Sequence, residues 1–214
     1  MTQDQQQHLE TLSEIRSLME RSSRFISLSG MSGVIAGCLA LLGAIMVYIY
    51  LEIMPFEHQR VYYIEALRSS KWGMNYIQFF LLDAGIVLVG ALTAGIILTT
   101  KKAKQKGQKI WDALTRRLLL SLTIPLAAGG IFCLALLQHG YLGLIAPATL
   151  IFYGLALLNA SKYTLNDIRY LGLSEIALGL IATFYLGYGL EFWAIGFGFL
   201  HIIYGILMYF KYEK

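Results

Sequence analysis

Three ionisable side chains stand inside long apolar runs of this chain: Asp83, Glu175 and His201. A charged group costs about 2.5–3.5 kcal/mol at the middle of a helix in hydrocarbon, so each calls for a compensating role. Read functionally, the three are stepping stones for protons or cations, or polar walls of a small-ligand pocket, with Tyr153, Tyr185 and Tyr204 as hydrogen-bond partners. Read structurally, they make interhelical hydrogen bonds or present a protonated carboxyl to a bundle interior. Their places in the runs put Asp83 and His201 at compatible depths and set Asp83 and Glu175 too far apart along the helix axis to pair.

Other chemistries lack their residues. A bis-histidine haem needs two ring nitrogens at matched depth, and His201 is central in its run while His139 ends another. Every lysine lies outside the apolar runs, which leaves no buried amine for a Schiff base. The histidines His8, His58, His139 and His201 have no metal-ligand spacing, and no phosphate-cradling glycine loop with a following Lys occurs. Ser174 beside Glu175 is a sequence neighbour without a base and an orienting group. The expectation is a protein without enzymatic activity, cofactor or metal.

The elements that must position these residues are membrane helices. Apolar residues make up 57% of the chain, charged residues 14%, and the mean hydropathy is +0.61, beyond what a water-soluble core of this size can hide. Six runs approach the roughly 20 residues needed to cross a hydrocarbon layer of about 30 Å. They are Phe25 to Tyr50, Tyr76 to Leu98, Leu118 to Leu137, Tyr141 to Asn159, Tyr170 to Gly187 and Phe192 to Phe210. The expected fold is all-α: a polytopic bundle of six transmembrane helices over residues 25–214, with a basic loop at 99–117 and an opposite loop at 51–75. Cys38 and Cys133 fall within runs and are expected to pack as small polarisable groups.

Cationic residues are lopsided. The tail carries three Lys or Arg, the 99–117 loop seven, and the loop after the fourth run and the C-terminus two each, against three in the 51–75 loop and none in the remaining turns. Basic flanks stay on the cytoplasmic side, so both termini are expected there. Trp72 and Trp193 then mark the outer interface and Trp111 the inner one. The polar residues before the first run, with no small-residue cleavage site after it, read as a retained anchor.

An Arg followed four residues later by Leu-Ser opens three of the runs, Arg24 to Ser29, Arg116 to Ser121 and Arg169 to Ser174, and small residues recur eight positions past each serine at Gly37, Gly129 and Ala182. Two readings fit: three repeated hairpins of one orientation, or convergent boundary chemistry. Small residues at Ser29, Gly33 and Gly37, at Ala91 and Gly95, and at Gly196, Gly198 and Gly205 are expected to bring helices close, within the chain or between copies. Pro125 and Pro147 are expected to bend the third and fourth spans. Ahead of the first span, Leu9, Leu12, Ile15, Leu18 or Met19, then Phe25 and Ile26 fall at helical spacing with Arg16, Glu20 and Arg24 on another face, an amphipathic helix over 1–24 suited to a membrane surface, a second copy or a cytoplasmic partner.

Lys101, Lys102, Lys104, Lys106 and Lys109 suit anionic lipid headgroups, although fixing topology alone also explains the cluster. Tied between two membrane helices, that loop is a poor nucleic-acid surface. The segments Arg24-Phe-Ile-Ser-Leu-Ser-Gly30 and Tyr170-Leu-Gly-Leu-Ser-Glu-Ile176 resemble small six-span bacterial inner-membrane proteins without an assigned activity. The resemblance implies a bacterial cytoplasmic membrane and brings no functional residues. Two functions follow: a small channel, transporter or ligand-binding membrane protein using Asp83, His201 and Glu175, or a non-catalytic scaffold or sensor contacting a partner through the first helix and the basic loop.

Overall fold

The structure, a computed structural model, describes residues 28–56, 70–107 and 110–214. The expected amphipathic helix over 1–24, much of the 51–75 loop and Lys109 lie outside the described residues. Among the described residues six helices follow in order: α1 Gly30–Leu51, α2 Tyr76–Gln105, α3 Ala113–Gln138, α4 Leu142–Tyr163, α5 Asp167–Phe184 and α6 Gly189–Tyr212. Five of them, all but α5, have the length and composition to cross a membrane. The exception has 18 residues and carries Asp167, Arg169 and Glu175, so the sixth expected span is present as a helix of lower apolar content.

Local chemistry sets the boundaries. Asn75 starts α2 through a reciprocal capping box: its side chain accepts from the Gln78 N–H, and the Gln78 side chain accepts from the Asn75 N–H. Asp112 starts α3 by accepting from the Thr115 N–H at 2.7 Å, and this bond holds its carboxyl below the usual aspartate range. Ahead of α2, strands β1 (Ser70–Lys71) and β2 (Met74–Asn75) pair antiparallel around Trp72 and Gly73, both at positive φ (57° and 76°), the combination a two-residue type I′ turn requires. Two proline positions differ in effect. Pro125 lies inside α3, whereas Pro147 falls in the first turn after the 3₁₀ segment Leu142–Leu144, where a missing N–H costs nothing.

Close backbone approach holds the bundle together. A Cβ added at Gly37 would lie 2.6 Å from the Gly198 carbonyl oxygen, and one at Gly205 would lie 2.6 Å from the Val34 nitrogen, so α1 and α6 touch along their backbones. The same holds for α4 and α5, where a Cβ at Gly154 would lie 2.6 Å from the Gly172 carbonyl oxygen. Gly129 of α3 packs on Phe152 of α4. All three positions eight residues past the serines, Gly37, Gly129 and Ala182, are buried. The closest pairings of α1 with α6 and α4 with α5 nevertheless run between the expected hairpins rather than within each of them. Gly95 of α2 faces open space, and the outer faces of α2 and α3 expose leucine and isoleucine along their length.

Two polar rims bound the apolar belt. At one end Lys102 bonds Glu213 at 3.1 Å and donates to the Leu28 carbonyl, while Glu213 accepts from the Gly30 N–H. Nearby connections link Lys211 and Tyr212 to Asp167, and Asn159 to the Ser121 carbonyl at 2.9 Å. The starts of α1, α3 and α5 and the ends of α2, α4 and α6 thus share one rim. At the other end Lys71 pairs with Glu52, whose carboxyl is held low by that hydrogen bond. There Tyr50 stacks on Phe79 at 4.0 Å and donates to the Met74 carbonyl.

Candidate functional site

Glu175 and His201 meet in the interior where α4, α5 and α6 converge. Glu175 has no exposed surface and His201 is 7% exposed. The carboxylate lies beside Gly196 of α6, where an added Cβ would be 2.5 Å from Oε2, and against Leu150 of α4. A side chain at that point would displace the acid or Leu150. Residues Ala194–Leu200 form a π-helical segment, a wide turn that recurs at functional sites, and His201 is the residue that follows it.

The imidazole is gripped from three sides. Its Nδ1 lies 2.9 Å from the Gly196 carbonyl oxygen, five residues back along the same helix, and 3.5 Å from Glu175 Oε1. Its Nε2 lies 2.7 Å from the Tyr153 hydroxyl. A carbonyl only accepts, so Nδ1 carries a hydrogen, and in the neutral ring Nε2 accepts from Tyr153. Phe197 closes the aromatic cluster, 5.0 Å from the Tyr153 ring and 5.8 Å from His201.

Neither Glu175 oxygen has a hydrogen-bond partner among the described residues. A buried polar group without a partner is expensive, and an isolated charge far more so, so the acid's state depends on the proton it carries or shares. One proton beyond carboxylate and neutral imidazole has two places: on Glu175 as a carboxylic acid, or on Nε2 at the Tyr153 side to give imidazolium, because Nδ1 already carries its hydrogen toward Gly196. At 3.5 Å the contact is longer than a normal hydrogen bond, and the Nδ1 hydrogen is directed at the Gly196 carbonyl. In the imidazolium form Nε2–H donates to the Tyr153 oxygen, so the hydroxyl follows the ring's charge. The arrangement can take up, hold and pass a proton.

The other expected site residues stand apart from this pair. Asp83 is half-buried and faces Gly43 of α1, where a Cβ would lie 3.2 Å from Oδ2. The His201 carbonyl, by contrast, faces Gly33. The His201 ring, however, reaches back to the Gly196 carbonyl, and the neighbouring Gly198 abuts Gly37, six residues of α1 and about 9 Å of axial rise from Gly43, so Asp83 and the imidazole do not meet. Tyr185 is 57% exposed at the end of α5, near Phe192, and Tyr204 is half-buried without bonding to either member of the pair. Among the lysines, Lys101, Lys104 and Lys106 are exposed while Lys102 turns inward to Glu213. Cys38 is exposed and Cys133 half-buried, both as free thiols.

The sequence placed Glu175, His201 and Tyr153 in one candidate pathway and offered Gly196 only as a packing residue, whereas Gly196 seats the acid and supplies the carbonyl. The available signal was Gly196-Phe197-Gly198 just ahead of His201. Comparison with protein-family models, curated proteins and solved structures finds no match, so the reading rests on these residues.

Proposed function

We propose that this chain is a six-span protein of the bacterial inner membrane, with both termini cytoplasmic, that moves a proton or a proton-coupled ligand through its bundle. The observation that carries the reading is Glu175: completely buried, unbonded at both oxygens among the described residues, and 3.5 Å from a histidine whose other nitrogen meets a tyrosine. A purely architectural polar contact would satisfy the carboxyl, because an unsatisfied buried acceptor costs about 1–3 kcal/mol. An acid left unbonded beside a base is arranged for a proton that comes and goes. Tyr153 relays the change in charge, and Asp83 is a separate polar point nearer the opposite rim. The exposed Lys101, Lys104 and Lys106 contact anionic headgroups at the cytoplasmic surface.

Purified protein in vesicles with an internal pH-sensitive dye tests this. With a proton gradient imposed, proton flux is expected to fall at least tenfold in Glu175→Gln and to change little in Tyr185→Phe. Equal flux in the folded Glu175→Gln variant and the parent would favour the scaffold reading.

A further inference from the structure

At the rim opposite the Lys102–Glu213 contact, a cavity of about 190 Å³ lies between the end of α1, the start of α2, the end of α3 and the starts of α4 and α6. It is separate from the Glu175–His201 pair. Among the described residues no charged side chain lines it. The Thr149 hydroxyl in its wall is already spent on the Ala146 carbonyl at 2.7 Å. A lining that is overwhelmingly apolar selects an uncharged, apolar occupant, and a dry apolar cavity of about 150 Å³ is enough to hold benzene.

The direction of access identifies the source. Leu81 of α2 and Leu134 of α3 both line the cavity, yet they are 54% and 62% exposed. The cavity wall is therefore continuous with the outer apolar faces of those two helices, the surface that lipid covers in a membrane-spanning bundle. We infer that the cavity takes a segment of one acyl chain of a bilayer phospholipid, entering sideways between α2 and α3. The chain gains contacts on the cavity wall while its headgroup stays outside at the adjacent rim, beside Trp72 and Lys71.

Trp193 lines the cavity and serves as its reporter. In full-length protein carrying Trp72→Phe and Trp111→Phe, brominated phosphatidylcholine is expected to quench Trp193 at least twice as strongly as in the same background with Ala84→Phe or Ala146→Phe, which fill the cavity from opposite walls. Unchanged quenching in a filled variant that keeps its helical circular dichroism overturns the inference. So does quenching by a brominated free fatty acid with none from the phospholipid. Should both fillings fail to fold, Cys133 in a Cys38→Ser background decides: alkylation by an apolar maleimide is expected to slow at least threefold when phospholipid is added to lipid-depleted protein, and an unchanged rate overturns the inference.

Discussion

Glu175 separates stability from activity at the level of one side chain. Its carboxyl is desolvated and makes no hydrogen bond to the described residues, while the His201 bonds to Gly196 and Tyr153 do not involve the acid. Replacing the acid with an apolar residue of similar size removes a penalty of about 1–3 kcal/mol without orphaning a partner. Glu175→Leu is therefore expected to leave the thermal midpoint in detergent unchanged or raise it, while abolishing proton exchange. A loss of more than about 2 kcal/mol would mark the carboxyl as a structural contact instead.

Helices of this chain adhere through absent side chains, and that makes a paired comparison at the level of the element. Gly37 abuts the Gly198 carbonyl, a backbone atom that cannot rotate away, whereas Gly95 faces open space. Gly37→Ala is expected to destabilise by about 1–3 kcal/mol through overpacking. Gly95→Ala is expected to be neutral or to gain up to about 1 kcal/mol of helix propensity, as read from the same unfolding curves. At the start of α3, Asp112→Ala is expected to cost about 1 kcal/mol for the lost cap. The folded carboxyl of Asp112 is held below its unfolded value by the Thr115 N–H, so its contribution is present above the unfolded value of about 3.9 and fades as pH falls through the lower folded one. Parent and Asp112→Ala stabilities should accordingly converge at strongly acid pH; a constant gap down to that limit would contradict the capping role.

For the whole molecule, composition carried the fold far. Apolar runs located all six helices within a few residues, because hydrocarbon tolerates only backbones that bond internally. The main departure is α2, which continues to Gln105 and takes Lys101, Lys102 and Lys104 into its last turns, since lysine is a good helix former and a rim can solvate it. Helix partners were less legible. Small-residue ladders announced close contacts without saying that α1 would choose α6 and α4 would choose α5. The site was legible as residue types only: the Glu175–His201 contact depends on a π-helical segment that leaves no periodic trace, and the Asp83–His201 depth match failed because span boundaries fix depth only to within a turn or two. Topology has its own test. Cysteines introduced at Lys106 and Lys214 in a Cys38→Ser, Cys133→Ser background are expected to resist a membrane-impermeant maleimide in intact cells, and one at Met54 to react; labelling at either of the first two would invert the orientation.

The most direct measurement of the central claim is the infrared carboxyl band of the protein in lipid, followed as pH is varied. A titrating band is expected that vanishes in Glu175→Gln and moves in His201→Gln, because the acid and the imidazole share a proton. A spectrum with no titrating carboxyl lost in Glu175→Gln, or one whose Glu175 band ignores His201→Gln, would contradict the pair as a proton site.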